Sequence, residues 1–318
     1  MLEPFFSIVI PFYNRAATLS RAILSVQAQT FSNWELILVD DASTDGSVSI
    51  AASAAQADQR IRVYTNSVNQ ERCRSRNRGI KEAKGQYVCF LDSDDYHLPE
   101  HLSFLYDRLH NLGYPEAFLF TKAWNEDAQG NTEERFCPDF NGIDPYRYFI
   151  LYTVNPQRWC VHARIFQEVQ FDPEIPICED MDTALRILNR GTPIYEMKER
   201  TTVYVAYPDS FTWGDPQKWQ RELDALHSIF ARREFQSKLP LDACRLRKSA
   251  CYYHLAIESW KQQKPVDFYK RAFLSFMLCP KGYNGKTNKP LLVMALYVFP
   301  GIGPVLQKTL KLAKATQA

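Results

Sequence analysis

The sequence predicts an α/β fold, a mostly parallel sheet flanked by helices, followed by a C-terminal helical appendage. Three observations carry that expectation. Short apolar runs alternate with helical patterns through the first half of the chain, as in a parallel sheet covered on both faces. Carboxylates gather where several of those runs end, and in an open α/β sheet the carboxyl ends of the strands are where ligands bind. The charge then changes sign: residues 1–215 hold 20 Lys and Arg against 30 Asp and Glu, a net of −10, and residues 216–318 hold 18 against 6, a net of +12. An α/β domain over 1–215 and a basic helical tail over 216–318 are therefore expected.

Taken in order, Ser7 to Ile10, Glu35 to Val39, Ile61 to Tyr64, Tyr87 to Leu91 and Ala117 to Phe120 read as strands, being rich in Val, Ile, Phe and Tyr. Leu19, Ala22, Ile23 and Val26 recur at the spacing of one buried helix face. After Gly113 the pattern loosens, with loop signals at Gln129-Gly130-Asn131 and Asn141-Gly142. Glu179, Asp180 and Asp182 then open a helix that runs to Asn189, and from about Gln217 helices return with Trp219, Leu223, Leu226 and Phe230.

Composition narrows the class. At 318 residues, 46% hydrophobic, 14% aromatic and 23% charged, the chain is neither disordered nor fibrous. Its eight cysteines are scattered without the short spacings of zinc or redox motifs. They read as reduced thiols, which points to the cytoplasm. The first apolar stretch, Phe5 to Phe12, is short, contains Pro11 and lacks a basic leader, so no signal peptide is expected. No nucleic-acid partner is expected either.

The stretch Tyr87 to Asp95 ends an apolar strand in three carboxylates, Asp92, Asp94 and Asp95. A period-two strand sets Asp92 and Asp94 on one face, where their charges repel unless a cation or strong donors collect there. An acidic turn is the alternative, because Asp favours turns for backbone reasons. Asp40-Asp41 follows the second strand, Glu179-Asp180 opens a later helix, and Pro11-Phe12-Tyr13-Asn14-Arg15 bends the chain after the first strand. Together these segments can frame a nucleotide.

In this set the sequence resembles the family 2 glycosyltransferases, which have the Rossmann-like GT-A fold. The resemblance is carried by Ser7 to Asn14, Gln29 to Gly46, Arg76 to Ile80 and Leu91 to Asp95, more loosely by Glu179 to Arg186, and it covers roughly Phe5 to Ser210. It implies transfer of a sugar from a nucleotide diphosphate donor, most simply UDP-linked, with inversion at the anomeric carbon. Pro11, Tyr13 and Asp41 would line the base pocket, with Arg76 toward the phosphates and Asp92 toward the ribose. Asp94 and Asp92, supported by Asp95, would hold Mg2+ or Mn2+, a hard ion suited to carboxylate ligands and to a diphosphate leaving group. Asp180 would be the base toward the acceptor hydroxyl, with Glu179 the alternative; acids in a first helical turn are also favoured by the helix dipole alone, by about 0.3–1 kcal/mol.

Two departures stand out. Many relatives carry a His as an extra metal or phosphate ligand in the loop that here reads Val205 to Ser210, where this chain has Tyr207. Gln157-Arg158-Trp159 resembles the chain-holding motif of processive synthases but is compressed and precedes the acidic pair, so it is expected to be an incidental loop and single-sugar transfer is favoured. The expected acceptor is a hydroxyl of a cell-surface glycan or glycolipid. Beyond Asp267 the chain has no acid, and the uncharged run 290–306 is flanked by lysines. Segment 290–314 is thus expected either at an anionic membrane surface on its cytoplasmic side or packed as core. Two other functions fit the acids: a nucleotide-sugar-binding scaffold that has lost catalysis, and a metal-binding receiver-type domain.

Overall fold

A computed structural model describes residues 3–207 and 217–280. The chain divides into two compact units, Met1–Gly214 and Asp215–Ala318. The run 290–314 lies outside the described residues.

In the first unit, strands β1 (Phe6–Phe12), β2 (Trp34–Asp40), β3 (Ile61–Thr65) and β4 (Tyr87–Phe90) pair in parallel in the order β3-β2-β1-β4. All seven residues of β2 are buried, which is why it reads as a continuous apolar run rather than an alternation. Glu35, its one internal charge, is satisfied by the Ser7 hydroxyl at 2.6 Å, the Lys84 amide at 2.6 Å and the Arg62 guanidinium. Helices α1 (Leu19–Gln27), α2 (Ser47–Ala57) and α3 (Glu71–Glu82) connect these strands. The face of α1 that is buried is Leu19, Ala22, Ile23 and Val26, the set expected from spacing. Helix α3 lies so close on β1 that a Cβ at Gly79 would stand 2.2 Å from Val9 Cγ1.

Past β4 the sheet turns mixed. After the short β5 (Tyr96–His97) and helix α4 (His101–Asn111) come β6 (Phe118–Glu126), β7 (Thr132–Glu134), helix α5 (Pro145–Leu151), β8 (Trp159–His162), helix α6 (Ile165–Glu168), helix α7 (Glu179–Asn189) and β9 (Ile194–Val205). Strand β8 enters antiparallel between β4 and β6, β9 runs parallel to β6, and β5 closes the edge antiparallel to β9. The parallel character predicted from the sequence thus holds for the first four strands. Because the chain leaves β1 toward β2 and β3 and returns on the other side as β4, a crevice opens at the carboxyl ends of β1 and β4.

The second unit contains, among the described residues, α8 (Lys218–Phe230), α9 (Leu241–Lys261) and α10 (Pro265–Leu278). Arg247 pairs with the buried Glu222 at 2.7 Å, and Trp219 stacks on His254 with centroids 3.8 Å apart. None of the described helices is long and apolar enough to cross a membrane.

Candidate active site

The loops after β1 and β2 are clipped to one another by short side chains. The Asn14 amide donates to Ser43 Oγ at 3.0 Å, Asn14 Oδ1 accepts from the Thr44 amide at 2.8 Å, the Arg15 amide donates to Ser47 Oγ at 2.7 Å, and the Ala16 amide to Asp45 Oδ2 at 3.0 Å. These bonds hold strained backbone. Among the described residues six that are not glycine have positive φ, and four of them, Asn14, Ala42, Glu71 and Cys178, lie in the loops at or before α1, α2, α3 and α7. Left-handed geometry costs such residues about 1–2 kcal/mol each, and it persists where surroundings over-determine it, commonly at functional sites.

Asp40 and Asp41 divide the work at the end of β2. Asp40 is fully buried and caps the turn, its Oδ1 accepting from the Ser43 amide at 2.9 Å while Oδ2 is buried without a partner. Asp41 reaches across instead, Oδ1 accepting from Asn66 Nδ2 at 2.8 Å and the Gln70 amide at 2.9 Å. Its own amide donates to the Phe12 carbonyl at 2.8 Å, which sets it beside Tyr13, an aromatic ring 44% exposed. Pro11 is half-buried in β1, opposite Val39.

Arg76 joins the two sides of the crevice. Its guanidinium, 3% exposed, donates from Nη2 to Asp92 Oδ1 at 2.9 Å and from Nη1 to Glu179 Oε1 at 2.9 Å. The two carboxylates hold it as a permanent cation against the cost of burial. The end of β4 and the start of α7 are therefore linked by one side chain, with one carboxylate on each terminal nitrogen and Nε buried without a partner. Asp180, next in α7, is nearly buried, and its Oδ1 accepts from the Met181 amide at 2.8 Å.

The three acids after β4 have different surroundings. Asp95 is clamped, Oδ2 accepting from Gln157 Nε2 at 2.7 Å and Oδ1 from the Val205 amide at 2.9 Å, so it ties β4 to the turn before β8 and to the end of β9. Burial, then the charges of Asp94 and Asp92, push its carboxyl well above the usual range. Asp94 is pushed up by burial and by Asp92, against the opposing pull of Arg15 and Arg72. Such crowding is what a bound cation relieves. Among the described residues no three His, Cys, Asp or Glu side chains gather into a complete metal cage. One or two carboxylates nevertheless fit Mg2+ or Mn2+ when substrate phosphates supply the remaining oxygens, and Asp94 beside Asp92 is a crowded pair of that chemistry.

Arg21, Arg15 and Gln157 touch this cluster, and of these only Arg21 lies in no motif the sequence offers. Arg21 donates from Nη2 to the Asp94 carbonyl and to the Tyr207 hydroxyl, both at 2.7 Å, and lies against the Tyr96 ring. Tyr207 is thereby engaged with a cation, and burial raises its phenol further from ionisation. Arg15 Nη2 stands 3.9 Å from Asp94 Oδ2. Gln157 needs a correction: the segment expected to be an incidental loop is a buried 3-10 turn, Pro156–Arg158, leading into β8, and Gln157 holds Asp95. Its motif was visible in the sequence; its partner, 62 residues away, was not.

The chain is similar to known glycosyltransferases. The family description Glycosyl transferase family 2 matches residues 7–156. The chain is 32% identical over 221 residues to a protein of Escherichia coli K12 named as a glycosyl transferase of colanic acid biosynthesis, covering 68% of this chain and 78% of that protein. It is 30% identical over 245 residues to one of Bacillus subtilis named as a glycosyltransferase of teichuronic acid biosynthesis, covering 72% and 92% respectively. Among solved structures the fold is similar to Staphylococcus aureus TarS 1–349 in complex with UDP-GlcNAc, with TM-score 0.61, 16% identity and coverage of 86% and 91%. It is also similar to a mannosyltransferase of Pyrobaculum calidifontis in complex with GDP-Man and Mn2+, with TM-score 0.59, 15% identity and coverage of 94% and 81%. The chain spans 55% of the longer TarS chain.

Proposed function

The chain belongs to glycosyl transferase family 2 and has the GT-A glycosyltransferase fold, and from that premise we propose that it moves one sugar from a UDP-linked donor to a hydroxyl acceptor, with inversion. The observation that carries the proposal is the Arg76 bridge, which ties the donor-side Asp92 to the helix start that bears Asp180. An inverting displacement needs its base on the face opposite the leaving group, on a different segment from the acids that serve the diphosphate. Asp180 is that base. Glu179, paired at 2.9 Å with Arg76 and 3.8 Å from Arg72, is neutralised in place and positions α7.

Asp41 and Tyr13 take the base, Asp41 as acceptor and Tyr13 as a face, beside Pro11. Asp94 and Asp92 are the residues to hold Mg2+ or Mn2+, whose Lewis acidity would neutralise charge developing on the diphosphate. Asp95 supports both by its clamp. The names of the two relatives, glycosyltransferases of colanic acid and of teichuronic acid biosynthesis, support the hydroxyl of a glycan or glycolipid as acceptor. The test is thermal: the full chain is melted with Mn2+ and a panel of nucleotide sugars. One donor at 100 times its dissociation constant is expected to add about 2.7 kcal/mol of stability. A shift with no UDP-sugar contradicts the donor assignment, and a donor that binds without ever being turned over favours the inactive binding protein.

A further inference from the structure

Four guanidiniums act on the Asp94 turn, and they differ in what they face: Arg72 pairs with Glu179 at 3.8 Å rather than with Asp94, and the other three lie closer in. Arg76 is buried between two carboxylates, and Arg21 is fixed by the Asp94 carbonyl and the Tyr207 hydroxyl. Arg15 is the one whose ion pair is to the Asp94 carboxylate itself, and it is held weakly. Its Nη2 is 3.9 Å from Asp94 Oδ2, at the outer limit of an ion pair, and the two side chains are 37% and 30% exposed. Ion pairs this exposed and this long contribute little, so the contact is given up at small cost. The backbone beneath it, by contrast, is pinned through the amides of Asn14, Arg15 and Ala16. The side chain can therefore move while its root stays at the carboxyl end of β1, beside β4.

We propose that Arg15 is a diphosphate-binding group that exchanges partners: it rests on Asp94 until a nucleotide diphosphate enters, then turns to the phosphate oxygens and leaves Asp94 to the metal. This rests on the donor reading above. The chemistry favours the exchange, because a guanidinium fork matches two phosphate oxygens better than one distant carboxylate oxygen. A guanidinium and a divalent ion also repel each other when they share a single carboxylate. A diphosphate between them gives each its own anionic partner, so donor and metal should bind with mutual help.

The test uses full-length protein and Arg15→Gln, with UDP and uridine titrated calorimetrically and free Mn2+ followed by paramagnetic resonance. Arg15→Gln is expected to weaken UDP about tenfold or more, the scale of one lost charged hydrogen bond, while uridine binding is unchanged. In the absence of nucleotide the same variant should bind Mn2+ more tightly than wild type, and Arg15→Lys should recover part of the UDP affinity. Unchanged UDP affinity, equal weakening of UDP and uridine, or looser Mn2+ binding without nucleotide overturns the inference. Failure of the wild-type protein to bind UDP at all brings down the donor reading as well, which separates the two.

Discussion

Arg76 carries more of this site than any other single residue, because a buried cation with two carboxylate partners cannot be removed from only one of them. Arg76→Met would strand Asp92 and Glu179, and breaking a buried pair in this way costs about 3–5 kcal/mol. The lower part of that range is expected, since the Asp92 side chain keeps 29% exposure. Urea unfolding of the variant should show a matching fall in stability with UDP affinity also reduced; a variant as stable as wild type contradicts the bridge. The acids of the site were legible in the sequence because carboxylates at strand ends are locally conspicuous. Arg76 was legible only as a charge near the donor, since its partners lie 16 and 103 residues away and nothing local announces them.

At the scale of elements, the strands and helices that bury one continuous or periodic apolar face were readable: β1 to β4, α1 and α7 all follow from composition and spacing. Of the later strands only the start of β6 was, as Ala117 to Phe120. Strand β9, Ile-Tyr-Glu-Met-Lys-Glu-Arg-Thr-Thr-Val-Tyr-Val, keeps several charged residues only half-buried or exposed, and its strand character comes from pairing with β6 and β5 rather than from its own pattern. Helix α10 adds a different kind of signal. Val266, Phe273 and Met277, at i, i+7 and i+11, are 78%, 48% and 53% exposed on one stripe, with the exposed Lys270 among them. An apolar stripe with lysines is the chemistry of an anionic bilayer surface, and residues 260–318 carry ten Lys and Arg against one acid. Full-length protein should sediment with phosphatidylglycerol vesicles and far less with phosphatidylcholine ones, and Phe273→Ser with Met277→Ser should reduce sedimentation severalfold. Equal binding to both vesicle types, or no effect of the two substitutions, contradicts this role for α10.

For the whole molecule, the order of the motifs along the chain is the strongest signal in the sequence, because no single acidic pair is specific while a series of them at strand ends is. The structure adds what order alone does not contain: which acid is clamped, which is crowded, and which cation links them. The most direct test of the account is Asp180→Asn, measured for donor binding and for sugar transfer in the same preparation. Loss of a general base is expected to lower transfer by about 10²–10⁴-fold, with UDP-sugar affinity and melting temperature close to wild type. Transfer at the wild-type rate in Asp180→Asn would contradict the account.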